Sequence, residues 1–82
     1  MNETELRRVI VEELDNVAPG AGAESVNPKD DIRTALDIDS MDFLNFITAL
    51  HTKLKVEIPE VDYPKLVTVA GAIEYLAAKV PA

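Results

Sequence analysis

Hydrophobic positions recur at helical spacing in three stretches of this chain. In the first, Leu6, Val9, Ile10, Leu14 and Val17 fall three or four residues apart with Glu, Arg and Asp between them, which predicts an amphipathic helix from about Thr4 to Val17. Asn2, with Glu5 three residues on, resembles a capping-box start, and Pro19, Gly20 and Gly22 end the pattern. A second stretch, Ser40 to Leu54, puts Met41, Leu44, Ile47, Leu50 and Leu54 on a main apolar face that Phe43 and Phe46 widen. At 1.5 Å per residue this helix would run roughly 22 Å. In the third, Thr68 caps a helix bearing Val69, Ala72, Ile73, Leu76 and Val80, which is expected to close before Pro81.

The intervening segments follow different rules. From Ala18 to Asp39 no long period holds, and a connection of about 20 residues is uncommon in a compact domain unless it is functional or anchored. Val26, Ile32 and Leu36 are the expected anchors, Asn27 to Asp31 a turn, and Ile32 to Leu36 a short helical turn. Pro59 lacks an N–H and ends the second helical region, while a short helix is expected near Asp62 with Pro64 in its first turn. Strand-like alternation is confined to Lys55 to Ile58, too brief to build a sheet. The pattern predicts an all-α fold: a small bundle of three main helices plus one short helix, with a long loop between the first two, in a single domain over residues 1–82.

Composition narrows the chemistry. Of the 82 residues 48% are hydrophobic, which suffices for one modest core. Cysteine is absent, so any thiol would have to arrive on a prosthetic group. No apolar run approaches the roughly 20 residues of a membrane span, and Met1 to Glu5 lack a signal-peptide core, so a cytoplasmic protein is expected. Fifteen acidic against eight basic residues give a net charge of −7, which argues against nucleic acid and for partners with basic faces. Asp30, Asp31, Asp37, Asp39 and Asp42 crowd one stretch, with Lys29 and Arg33 as its local cations. Such a cluster is ordinarily a solvated face; the serine within it alters the reading.

Ser40 stands between Asp39 and Met41-Asp42, where the long loop becomes the second helix. A nucleophilic serine needs a base and oxyanion donors, whereas these neighbours supply negative charge that would raise the hydroxyl pKa. A covalently added phosphate, in contrast, would lie beside unpaired first-turn N–H groups at the positive end of the helix dipole. Ser40 or Asp39 can also serve as N-cap, a role compatible with modification of the serine. A calcium loop starting at Asp37 fails on spacing, because Met41, Asp42 and Thr48 occupy the third-ligand, glycine and closing-glutamate positions. His51, the single histidine, reads as a solvated or partly packed helix residue.

Asp39-Ser40-Met41-Asp42, opening an apolar helix after a long loop, resembles the phosphopantetheine attachment site of acyl carrier proteins. Val56-Glu57-Ile58-Pro59 resembles the family's stretch after the second helix, and Leu66-Val67-Thr68-Val69 with Ala72-Ile73-Glu74-Tyr75-Leu76 its last-helix pattern, so the likeness runs from Leu6 to Leu76. The resemblance implies that Ser40 accepts phosphopantetheine from coenzyme A through a separate Mg²⁺-dependent phosphopantetheinyl transferase. The arm's thiol would then hold acyl or aminoacyl groups as thioesters for loading and acyl-processing enzymes, and the domain, expected to be a monomer, would catalyse nothing. Asp39 would lie near the metal and phosphates during transfer, and Asp37, Met41, Asp42 and Asn45 would belong to the partner-docking face.

Departures from the family pattern point to a specialised carrier. Asp37 stands where glycine is common, Asn45 where an acid is expected, and His51, Thr52, Lys53 and Lys55 replace a glutamate-rich helix end. Fewer acids should weaken docking to strongly basic faces. Phe43 and Phe46 border the space where some carriers shelter an acyl chain; core packing is expected for one and partial exposure for the other. The alternative is a cofactor-free helical interaction module, which would keep working with Ser40→Ala. A small hydrolase is disfavoured, since neither base nor oxyanion hole can be named.

Overall fold

A computed structural model describes residues 1–80 of the chain. Helices α1 (Glu3–Val17), α2 (Ile32–Ala35), α3 (Ser40–Leu54) and α4 (Val69–Ala77) are joined by 3₁₀ segments at Ala23–Ser25 and Glu60–Leu66. The described residues contain no strand. Helix α1 packs against both α3 and α4, and α4 against Glu60–Leu66. One apolar cluster joins these elements, with Leu6, Ile10, Leu14, Phe46, Leu50, Leu66 and Leu76 fully buried. None of the described helices is long and apolar enough to cross a membrane.

The architecture agrees with the expected bundle, with three local differences. The expected short helix is a 3₁₀ helix that starts at Glu60 and holds Pro64 in its interior, where proline cannot supply an α-helical hydrogen bond. Helix α4 ends at Ala77, short of Val80; the N–H groups of Lys79 and Val80 both reach the Leu76 carbonyl at 2.9 Å, forming a closing turn. Pro81, the expected stop, lies outside the described residues. Helix α3 is rotated from its expected orientation: Met41 and Leu44 are 67% and 43% exposed, while Phe43 and Phe46 are 7% and 0% exposed. The expectation that one phenylalanine would be partly exposed is therefore corrected. Two aromatic rings remove more apolar surface from water than a methionine and a leucine, so they take the inward face together with Ile47 and Leu50.

The long connection is anchored as expected, with Val26, Ile32 and Leu36 buried. Asn27 organises its turn: its side-chain oxygen accepts the Lys29 N–H at 2.9 Å and its carbonyl the Asp30 N–H at 3.0 Å. Two longer-range bonds then tie the loop to the start of α4, Ile32 N–H to the Val67 carbonyl at 2.8 Å and Ala70 N–H to the Pro28 carbonyl at 2.9 Å. Backbone groups that a mobile loop would leave to water are here paired across the fold.

The last helix is fixed at both ends. The Thr68 hydroxyl accepts the Gly71 N–H at 2.9 Å, an N-cap that the sequence predicts. The Tyr75 hydroxyl donates to the Asp62 carboxylate at 2.7 Å and so holds the 3₁₀ segment against α4. Burial and this hydrogen bond push the Tyr75 phenol up to about 12, while the same bond lowers the Asp62 carboxyl. A raised folded-state value means that the protonated phenol contributes stability in full below pH 10 and loses it as pH rises towards 12. Tyr75→Phe should therefore lose stability at neutral pH and show a shallower decline than the wild type between pH 10 and 12, as measured by thermal melts.

Gly71 meets a steric rather than a conformational demand. A Cβ there would lie 2.6 Å from the Lys65 carbonyl oxygen and 2.9 Å from the Thr68 hydroxyl. Gly71→Ala should destabilise the protein by about 1–3 kcal/mol in chemical denaturation, against the better helix propensity of alanine.

Candidate functional site

The chain reaches Ser40 through a turn that few residues accommodate. Asp37 has φ of +53°, in the left-handed region, which gives a physical reason why glycine would suit this position. Ile38 is buried and its N–H bonds to the Arg33 carbonyl at 3.0 Å, fixing the direction from which Asp39 enters α3. Asp39 is extended, with φ −92° and ψ −177°, and is the N-cap. Its Oδ1 accepts the Asp42 N–H at 2.8 Å and its carbonyl the Phe43 N–H at 3.0 Å.

Because Asp39 supplies the cap, Ser40 does not. Ser40 is exposed in the first turn, and among the described residues its hydroxyl has no protein hydrogen-bond partner. The backbone N–H groups of Ser40 and Met41 likewise have no acceptor among the described residues, leaving two oriented donors beside the hydroxyl. An anionic diester on Ser40 would meet these donors at the positive end of a 15-residue helix. The residues present fit a phosphate-linked group at this hydroxyl.

Other singled-out residues surround it. Met41 and Asn45 are exposed and one turn apart on α3, Asp42 is half-buried through its place in the cap, and Asp37 is exposed on the preceding turn. His51 is exposed, and its Nδ1 lies 2.8 Å from the Val56 carbonyl, bracing the turn at Lys55, whose φ is +55°. Lys53 reaches Glu12 of α1 at 3.8 Å. The five clustered aspartates do not converge: among the described residues no three acidic or histidine side chains are grouped closely enough to hold a metal ion.

A feature beside the site was not foreseen. Asp31 caps α2 and grips Arg33, with Arg33 Nε to Oδ1 at 3.0 Å and a terminal nitrogen to Oδ2 at 2.6 Å. The hydrogen-bonded guanidinium holds the Asp31 carboxyl below its ordinary value. The same guanidinium lies 5.8 Å from the centre of the Phe43 ring, whose edge contact with Tyr63 spans 6.5 Å between centroids. The Asp31-x-Arg33 spacing was a visible signal for the ion pair; nothing in the sequence signalled Tyr63.

The described residues thus form a small all-helical bundle with an exposed serine in the first turn of a capped helix. Residues 5–76 match the family model described as the phosphopantetheine attachment site. The chain is also 35% identical over 72 residues to the acyl carrier protein of Campylobacter curvus (strain 525.92), covering 88% of this chain and 87% of that one. The chain belongs to the acyl carrier protein family, whose domain carries a covalently attached phosphopantetheine.

The cap makes a direct prediction. Asp39→Ala should cost about 1 kcal/mol, lowering Tm by roughly 4–8 °C, while Asp39→Asn should stay near the wild type because its side-chain oxygen retains the acceptor. Thermal melts followed by circular dichroism distinguish the two.

Proposed function

We propose that this chain is a non-catalytic carrier domain that receives its phosphopantetheine on Ser40. The observation that carries the reading is the unengaged Ser40 hydroxyl beside two free first-turn N–H groups, held there by the Asp39 cap. In the transfer, the Ser40 oxygen bonds to the phosphopantetheine phosphorus of coenzyme A and the bond to adenosine 3′,5′-bisphosphate breaks. The hydroxyl proton goes to a base on the transferase, since the serine has none at hand. Asp39 commits Oδ1 to the cap, which leaves its second oxygen for the transferase's Mg²⁺. The arm supplies a thiol that holds acyl or aminoacyl groups as thioesters, the sole thiol in a chain without cysteine.

Asp37, Met41, Asp42 and Asn45 form the docking face in this reading, and the monomeric domain meets its loading and acyl-processing enzymes in the cytoplasm. The carrier is a specialised one. Asn45 and Thr52 are exposed uncharged positions on α3, while Lys53 is occupied with Glu12 and His51 with the turn after the helix. The far end of α3 thus lacks the acidic surface that a strongly basic partner would engage.

Intact-protein mass spectrometry after incubation with coenzyme A, Mg²⁺ and a promiscuous phosphopantetheinyl transferase tests the carrier reading. One phosphopantetheinyl increment is expected on the wild type and none on Ser40→Ala. A folded wild type that stays unmodified, even with transferases from its own source, would favour the cofactor-free interaction module. For the docking face, Asn45→Glu with Thr52→Glu should tighten binding to a basic-faced enzyme of fatty-acid synthesis by roughly two- to thirtyfold at low salt, given about 0.2–1 kcal/mol per exposed pair. Unchanged affinity in titration calorimetry would contradict the charge argument.

A further inference from the structure

We propose that this carrier keeps its cargo outside the helical bundle, because an aromatic cluster beneath an anchored arginine closes the space between α3 and Glu60–Leu66 next to Ser40. The inference rests on the carrier reading and specifies its cargo: acyl groups short or polar enough to remain in water, such as aminoacyl or short hydroxyacyl groups.

The closure begins one helical turn from the attachment residue, at Phe43. The Phe43 and Phe46 ring centroids are 6.3 Å apart with planes tilted by 44°, and Tyr63 meets Phe43 edge-on at 82°. Phe46 is fully buried and Phe43 nearly so, so both rings fill the inward face of α3 next to the attachment residue. Arg33 covers the Phe43 ring from the loop side. Its position is fixed twice: the guanidinium grips Asp31 through two nitrogens, and the adjacent Ile32 N–H is bonded to the Val67 carbonyl. Admitting an alkyl chain between these segments would require parting the Phe43 and Tyr63 rings and moving the half-exposed Arg33 off the Phe43 ring.

A groove does lie beyond the cluster, lined by Ile47, Thr48, His51, Glu57, Ile58 and Tyr63, with a volume of about 200 Å³. Its α3 residues lie about two to three helical turns beyond Ser40, and Thr48, His51 and Glu57 give it a polar rim. Each methylene left in water is unfavourable, so a carrier that cannot enclose its cargo suits groups with few of them.

The test loads the protein from acetyl-, octanoyl- and dodecanoyl-coenzyme A with a promiscuous phosphopantetheinyl transferase, and mass spectrometry confirms each product. Thermal melts and the NMR resonances of Phe46, Leu50, Leu66 and Leu76 are then compared. The expected result is a Tm that varies by no more than about 1 °C across the three chains, with core resonances independent of chain length. In Phe43→Thr with Tyr63→Ala, which opens the cluster, the longer chains should shift those resonances and raise Tm by several degrees relative to acetyl. The wild-type series stands by itself if the double variant does not fold. Chain-length-dependent core shifts in the loaded wild type would overturn this proposal and leave the carrier reading intact. Failure of any mass increment would instead overturn the carrier reading, and the proposal with it.

Discussion

The hydrogen bond from the Asp42 N–H to Asp39 Oδ1 organises the site. It starts α3 at Ser40, and it does so with a neighbouring side chain, so the serine hydroxyl is not spent on capping. A serine acting as its own cap would have turned its oxygen back onto the helix. Placing the aspartate one residue earlier satisfies one first-turn donor and leaves the N–H groups of Ser40 and Met41, like the serine hydroxyl, without an acceptor or donor among the described residues. The same three-residue step from side chain to N–H caps α1 at Asn2 and α4 at Thr68.

That geometry requires a stationary approach to the helix. The long connection contains only the short 3₁₀ segment Ala23–Ser25 and the four-residue α2, yet buried Val26, Ile32, Leu36 and Ile38 hold it to the core. Its backbone bonds at Pro28 and Ile32 join it to the Val67–Ala70 region across the fold. Asp37 then accepts a left-handed conformation so that Ile38 can turn inward and Asp39 outward. Aspartate tolerates this region better than most residues, and its carboxylate adds to the negative charge near the serine.

Much of this was legible in the chain because caps and loop anchors are local. Asn2 and Thr68 each stand directly before an apolar helical pattern, where a side-chain acceptor has one nearby use, whereas at α3 the sequence left Asp39 and Ser40 both open and the fold chose Asp39. The face of α3 was not legible. Met41, Phe43, Leu44, Phe46, Ile47 and Leu50 supply two overlapping apolar stripes, and periodicity alone cannot rank them. Burial of ring area decided the outcome and left Met41, itself a proposed docking residue, and Leu44 at the surface. The contacts of Arg33 with Phe43 and of Tyr63 with Phe43 cross between separate segments, so they became visible only in the fold. The same holds for Lys53 with Glu12, which gives a structural use to a cation that otherwise reads solely as a departure in surface charge.

The central claim is that the capped start of α3 makes Ser40 the single residue to receive the arm. Fragment-ion mass spectrometry of the tryptic peptides from transferase-treated protein tests it most directly, because the chain's two serines, Ser25 and Ser40, fall on opposite sides of the cleavage site at Arg33. The account predicts the whole increment on the peptide running from Thr34 to Lys53, with fragments assigning it to Ser40. An increment on Ser25, or on a threonine of that peptide, would contradict it.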